Sequence, residues 1–362
     1  MMTSEAPPLI SYNTALFCAF LYTAFFIAPY YLSATLRATK EHGRDSPTII
    51  RARVRAAGLT IAASTIVTTY LLAIKGHATP QDVLRLYGLY PIRLLDILKV
   101  LTLALILYTG PLYETLLVDG GWRSLTPQNF KAELYDSWTG YRNLLIAPIA
   151  EELVFRSASV PLFLLAKLPP SRIVLTIPLI FGLAHFHHIF DQLRHRTAPG
   201  KWLPPLGVVL QLLVMMVFQF GYTSLFGFFT AFVLLRTGNI YAAIVAHSFC
   251  NFMGLPRVYG WVGQFTTLPP HVTVDASETT KRDDDETSDG KVTVGNSLMQ
   301  QEDGRSAGSA ERERAAKEAY QQPQNLGLQW TVGYYVLLVT GAFGFYRLLY
   351  PLTASSNALS AL

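Results

Sequence analysis

The chain has 362 residues, of which 51% are hydrophobic and only 15% charged, with a formal net charge of +5. Soluble domains carry nearer a quarter charged residues, so an ordinary soluble enzyme is excluded and a polytopic membrane protein is indicated. The two cysteines, Cys18 and Cys250, both lie in apolar runs, which excludes a disulfide framework or a cysteine-based zinc site; no basic stripe with interleaved aromatics suggests nucleic acid.

In chain order, "MMTSEAPPLISYN" lacks a positive leading segment, so no cleaved signal peptide is expected and the first apolar run is read as a retained helix. Eight candidate spans follow, at roughly 10–34, 56–75, 97–117, 143–166, 173–190, 204–236, 238–255 and 328–350. A crossing helix needs about 20 apolar residues. The sixth segment is too long for a simple span and carries Gly221, Tyr222, Thr223 and Ser224 at its middle, so it is expected to tilt strongly or break there. The fold class is therefore all-α, a helical bundle of about eight transmembrane helices.

Between the first two segments lie Arg37, Lys40, Arg44, Arg51, Arg53 and Arg55. The positive-inside rule puts this loop in the cytoplasm, and alternation puts the loops near 118–142 and 191–203 there too. The basic second loop is read as a topology determinant, with help to the approach of anionic membrane or substrate as the alternative. Residues 266–327 hold 12 acidic and 7 basic residues, leaving a net +10 on the rest of the chain. That segment is polar and poor in aromatics, and is expected to be a disordered cytoplasmic loop, separate from a membrane domain made of 1–255 and 328–362.

Ionisable groups inside spans cost about 2.5–3.5 kcal/mol each on insertion scales, so they mark functional candidates. Three clusters qualify. In "EELVFR" (151–156), Glu152 and Arg156 stand four apart and can pair on a helix. Glu151 points about 100° away and has no obvious local partner, which suits a general base. In "FGLAHFHHIF", Phe181, His185 and His188 share a helical face, whereas His187 is expected to point elsewhere, near Asp191. In "AHSFCN", His247 and Asn251 stand four apart and both offer hydrogen-bond donors. With alternating topology and the rise of a helix, Glu151, His185 and His247 each fall about 8–13 Å below the cytoplasmic face, within reach of one cavity open to that side. There is no H-E-x-x-H zinc signature and no glycine-rich phosphate loop. Glutamate, histidine and asparagine remain, a set that fits water activation, attack on an amide carbonyl and oxyanion stabilisation.

The ordered set E-E-x-x-x-R (151–156), F-x-x-x-H (181–185) and H-x-x-x-N (247–251) on successive apolar segments resembles the type II CAAX prenyl endopeptidases, the group of the Ras-converting enzyme. The similarity covers roughly 85–255. The resemblance implies a multi-pass protein of the endoplasmic reticulum membrane with an active site accessible from the cytosol. It implies removal of the C-terminal tripeptide from farnesylated or geranylgeranylated CAAX proteins such as small GTPases, with membrane lipid as the other partner. By the same resemblance, Glu151 is the main base, His185 helps activate water, and His247 and Asn251 stabilise the oxyanion. Glu152, Arg156, His188 and Phe181 support the site, and no cofactor is needed. The residues themselves also permit zinc, because two carboxylates and two histidines can bind it. A non-proteolytic membrane scaffold of the same group remains a competing reading. A transporter requires inverted repeats, and none is visible.

Overall fold

A computed structural model describes residues 7–37, 43–198, 200–263 and 326–362. The acidic segment expected to be disordered falls almost wholly outside the described residues. Among them every element is helical and there is no strand. Ten helices carry the architecture: α1 (Tyr12–Ile27), α2 (Pro47–Gly76), α3 (Leu94–Leu107), α4 (Ala147–Glu152), α5 (Val160–Leu165), α6 (Pro170–Ala184), α7 (His188–Arg196), α8 (Leu206–Thr237), α9 (Ile240–Met253) and α10 (Leu328–Thr353). Their starts follow ordinary capping chemistry. Ser11 accepts the Thr14 amide at 3.0 Å at the head of α1, and Ser46 followed by Pro47 opens α2.

Five helical stretches are long and apolar enough to cross a bilayer: Tyr12–Leu32, Pro47–Gly76, Pro170–Arg194, Leu206–Thr237 and Leu328–Thr353. A sixth forms if Leu94–Leu107 and Thr109–Val118, bent by 75°, count as one broken span. The chain is thus an all-helical polytopic membrane protein. It has fewer full-length helices than the eight apolar runs suggest, for two local reasons. The run at 143–166 is broken into short pieces, α4, a π-helical turn at Leu153–Ala158 and α5, with Pro148 and Pro161 unable to donate to the turn below. The run at 238–255 holds only the 14-residue α9. Of the two expectations for the sixth segment, a strong tilt or a break at Gly221, the break is absent: α8 runs unbroken over 32 residues. Thr223 Oγ1 donates to the Gln219 carbonyl at 2.7 Å, inside the helix's own ladder, and Gly221 faces open space.

The described chain forms two compact units. The first, made of the described residues within Met1–Thr102, Arg142–Phe252 and Leu349–Leu362, contains every residue of the motifs. At its centre Tyr22 and Thr68 share a hydroxyl hydrogen bond of 2.7 Å, and Thr68 Oγ1 lies 2.9 Å from the Ala158 carbonyl. Ser159 Oγ donates to Val154 O at 2.9 Å and Ser157 Oγ to Tyr87 O at 2.8 Å. Hydroxyls thus occupy carbonyls in and beside the π-helical turn, the device apolar surroundings demand wherever a helix is interrupted. The second unit, made of the described residues within Leu103–Tyr141 and Met253–Leu348, is tied by an Arg257–Glu114 ion pair at 2.8 Å and by Thr109 Oγ1 donating to Leu337 O at 2.9 Å.

Candidate active site

The glutamate pair begins where α4 ends. Glu151 and Glu152 occupy its last two positions, and the backbone then shifts to wider π-helical spacing that carries Arg156. Such single-turn bulges recur at functional sites because they re-aim side chains. Glu152 and Arg156 are fully buried, and Glu152 Oε1 lies 3.3 Å from Arg156 Nη1, so the pairing expected from the spacing forms. Glu152 Oε1 also accepts from His247 Nδ1 at 2.8 Å.

The guanidinium of Arg156 lies over the Phe181 ring, 4.1 Å from its centroid, a cation–π contact that partly replaces lost hydration. Room for it comes from α8: a Cβ on Gly227 stands 3.0 Å from Arg156 Nη2 and 2.8 Å from Pro178 Cβ. Any larger residue there crowds Pro178 and the guanidinium. Phe181 in turn meets His185 edge-on at 4.7 Å, and His247 packs on Phe226 at 4.5 Å. One continuous stack therefore runs from Phe226 through His247, Glu152, Arg156 and Phe181 to His185.

Beside this sealed cluster is a cavity of about 190 Å³. Its wall includes Glu151, His185, His187 and His188 together with Arg44, Arg53 and Arg142. His185 Nδ1 is 2.9 Å from the Phe181 carbonyl. A carbonyl only accepts, so Nδ1 carries a proton, and in the neutral ring Nε2 keeps its lone pair. Glu151, only partly buried, connects the two regions. It lines the cavity and its Oε2 lies 3.8 Å from His247 Nε2.

Each residue singled out from the sequence thus has a definite place. Glu151, His185 and His188 meet at the cavity. Glu152, Arg156, His247 and Phe181 are buried beside it. Asn251 is exposed, and its amide donates to the Asn143 carbonyl at 3.0 Å. Neither His247 nor Asn251 is part of the cavity wall.

Two expectations from the sequence need correcting. His187 does not point away. It lines the same cavity, its Nδ1 donates to Ala184 O at 2.6 Å, and its ring lies 4.0 Å from that of His188. The cause is local: residues 185–187 form a 3₁₀ turn between α6 and α7, and its three-residue period changes which side chains share a face. Arg44 and Arg53, read chiefly as topology determinants, also face this cavity, as does Tyr30. Their signal in the sequence was hidden, since a basic loop between two spans has the same composition whichever way its arginines turn. Among the described residues no group of three or more His, Cys, Asp or Glu is gathered as metal ligands.

Comparison with known proteins places this constellation. The family model described as "Type II CAAX prenyl endopeptidase Rce1-like" matches residues 133–253, the stretch that holds the glutamate, histidine and asparagine motifs. The human protein named CAAX prenyl protease 2 is 36% identical over 227 residues, covering 59% of this chain and 64% of its own length. The Schizosaccharomyces pombe protein named Probable CAAX prenyl protease 2 is 30% identical over 250 residues, 68% of this chain and 82% of that one. The Arabidopsis thaliana CAAX prenyl protease 2 is 32% identical over 231 residues, 58% of this chain and 70% of its own. No solved structure matches significantly. With the motif block matched and 82% of a 30%-identical relative covered, the chain belongs to the type II CAAX prenyl endopeptidase family.

Proposed function

We propose that the chain is a membrane endopeptidase that hydrolyses the peptide bond following the prenylated cysteine of CAAX proteins, releasing the C-terminal tripeptide. The observation that carries this reading is Glu151: a carboxylate on the wall of a cavity that it shares with His185, whose Nε2 is free to accept a proton. In the reaction, a water in the cavity gives its proton to Glu151, with His185 orienting it, and its oxygen attacks the scissile carbonyl carbon. Negative charge then moves to the carbonyl oxygen. In this reading His247 donates to it through Nε2–H while Nδ1 stays hydrogen-bonded to Glu152. Asn251 donates through the amide hydrogen that its bond to Asn143 leaves over. Collapse breaks the C–N bond, and the proton held by Glu151 passes to the leaving amine.

The reading needs no metal. It places the protein in the endoplasmic reticulum membrane with the cavity accessible from the cytosol, supported by the six basic residues between Arg37 and Arg55. Farnesylated and geranylgeranylated small GTPases are its expected substrates. The test is tripeptide release from a farnesylated CAAX peptide by purified protein in vesicles. Wild type is expected to cleave, to do so after stringent chelation, and to lose cleavage on Glu151→Ala. Cleavage by that variant near the wild-type rate sinks the assignment of Glu151. Absence of cleavage by wild type sinks the enzyme reading in favour of a scaffold.

A further inference from the structure

The cavity wall carries more positive charge than the reaction needs. Three guanidinium groups, Arg44, Arg53 and Arg142, line it together with a single carboxylate, Glu151. Two of the three have carboxylate company. Arg142 Nη1 lies 2.6 Å from Asp45 and its Nε donates to Asn143 Oδ1 at 2.9 Å, while Arg44 Nε is 3.5 Å from the same Asp45. Arg53 differs. Its Nε donates to the Leu36 carbonyl at 3.1 Å and its guanidinium sits over the Tyr30 ring at 4.7 Å. No carboxylate reaches ion-pair distance of it among the described residues. The result is a half-buried cation, held in place by two contacts, with both terminal nitrogens unspent.

The surroundings of Arg53 narrow what it meets. Ile50, Arg53, Val54 and Ala57 fall at three- and four-residue spacing on α2, so they present one face of that helix to the cavity. Phe26 and Ile27 add further apolar wall. A ligand suited to this face has aliphatic groups ending in an anion with two oxygens, the shape a guanidinium fork binds bidentately.

We infer that Arg53, with Arg44 at the rim, receives the free C-terminal α-carboxylate of the peptide substrate and so sets how far from the chain end the bond is cut. This rests on the proteolytic reading above. A tripeptide in extended form reaches about 10 Å, so an anchored carboxylate acts as a ruler, and the apolar face of α2 lies along the two aliphatic residues between. The anion of a phospholipid headgroup is the competing occupant, disfavoured by the apolar wall beside the cation.

Two farnesylated peptides of identical sequence test the inference, one ending in the free acid and one in the carboxamide, each assayed with purified protein in neutral phosphatidylcholine vesicles. Wild type is expected to favour the acid by about ten- to a hundredfold in kcat/KM, mostly through KM, as the loss of a charge-assisted hydrogen bond implies. Arg53→Gln is expected to lose a similar factor on the acid while its cleavage of the amide stays near wild type, and Arg53→Lys to recover part of the loss. The exposed Arg44→Gln variant is expected to show the same selectivity more weakly. A variant that merely misfolds loses both substrates together, whereas the wild-type comparison of acid with amide needs no variant. Equal wild-type cleavage of both peptides overturns the inference. So does an Arg53→Gln loss that is the same for both in a variant whose thermal unfolding matches wild type, or one seen only when anionic lipid is added. Cleavage of neither peptide by wild type removes the proteolytic reading itself.

Discussion

Two adjacent glutamates sit in opposite environments, and the contrast organises the whole site. Glu152 is sealed, sharing one oxygen between Arg156 and His247. Glu151, one residue earlier, looks onto a cavity with His185 and three arginines. The first region is a buried charge network whose removal unbalances the fold. The second is an accessible surface where a proton and a substrate can move. Adjacent positions on a helix point about 100° apart, and the π-helical turn that follows lets Arg156 close over one of the two.

If the contrast is right, isosteric changes separate the two residues. Glu151→Gln is expected to cut turnover by about 10²–10⁴-fold, the usual worth of a positioned general base, while thermal unfolding in detergent stays near wild type. A large stability loss with activity retained reverses the two roles.

Arg156→Ala is expected to act on the fold, costing about 3–5 kcal/mol by removing the buried cation and leaving Glu152 with His247 as its one hydrogen-bond partner. Arg156→Lys does not restore it, since an ammonium cannot reproduce the planar stack on Phe181. Unfolding curves for the two variants side by side check this, and full recovery by lysine removes the stacking argument.

Smaller still is Ser159→Ala. It deprives Val154 O of its hydroxyl partner and is expected to cost about 1 kcal/mol, with cleavage reduced only as far as the π-helical turn relaxes. Denaturant titration gives the first number and a parallel peptide assay the second. An unchanged midpoint means the hydroxyl does not hold the turn.

A separate set of effects is in pH dependence, outside the spans, where two aspartates have opposite signs. Burial raises Asp119, helped by Glu114 and opposed by Arg257, to about 7. Its folded value exceeds the ordinary 3.8, so its contribution to stability is complete below that value and lost as pH rises toward 7. Burial also pushes Asp45 upward, but the hydrogen bond and charge of Arg142, with Arg44, hold it below 3.8. Its contribution is present above 3.8 and lost as pH falls. Asp119→Asn is therefore expected to stabilise the protein most at alkaline pH, and Asp45→Asn to destabilise it at neutral pH but not at strongly acidic pH. Melting temperatures measured across pH test both, and slopes of like sign contradict the assignment.

Much of the site was legible in the residues. The four-residue spacing of Glu152 and Arg156 announces a pair, and the pair forms. The lone position of Glu151 also reads correctly as far as its helical direction goes, although His247 from α9 comes within 3.8 Å of it. The grouping of His185 with His188 survives because those two stay near each other in a 3₁₀ turn as well as in an α-helix. His187 was lost for the same reason in reverse: assigning its face requires knowing the local period, and no pattern in "FGLAHFHHIF" distinguishes one period from the other.

By itself, then, the sequence determined that the chain is helical and lives in a bilayer, because apolar runs of about 20 residues fit a crossing helix, which satisfies its own backbone hydrogen bonds, and are too long for a barrel strand. It also determined which residue types carry the chemistry, because charges inside such runs are too costly to persist without a purpose. The tertiary structure alone decided which apolar runs become full-length helices, since that depends on where prolines and hydroxyls interrupt the ladder. It decided, too, that Arg44 and Arg53 turn into the cavity beside Glu151. Composition counts a charge but carries no direction, and direction comes only from the packing of α2 against its neighbours.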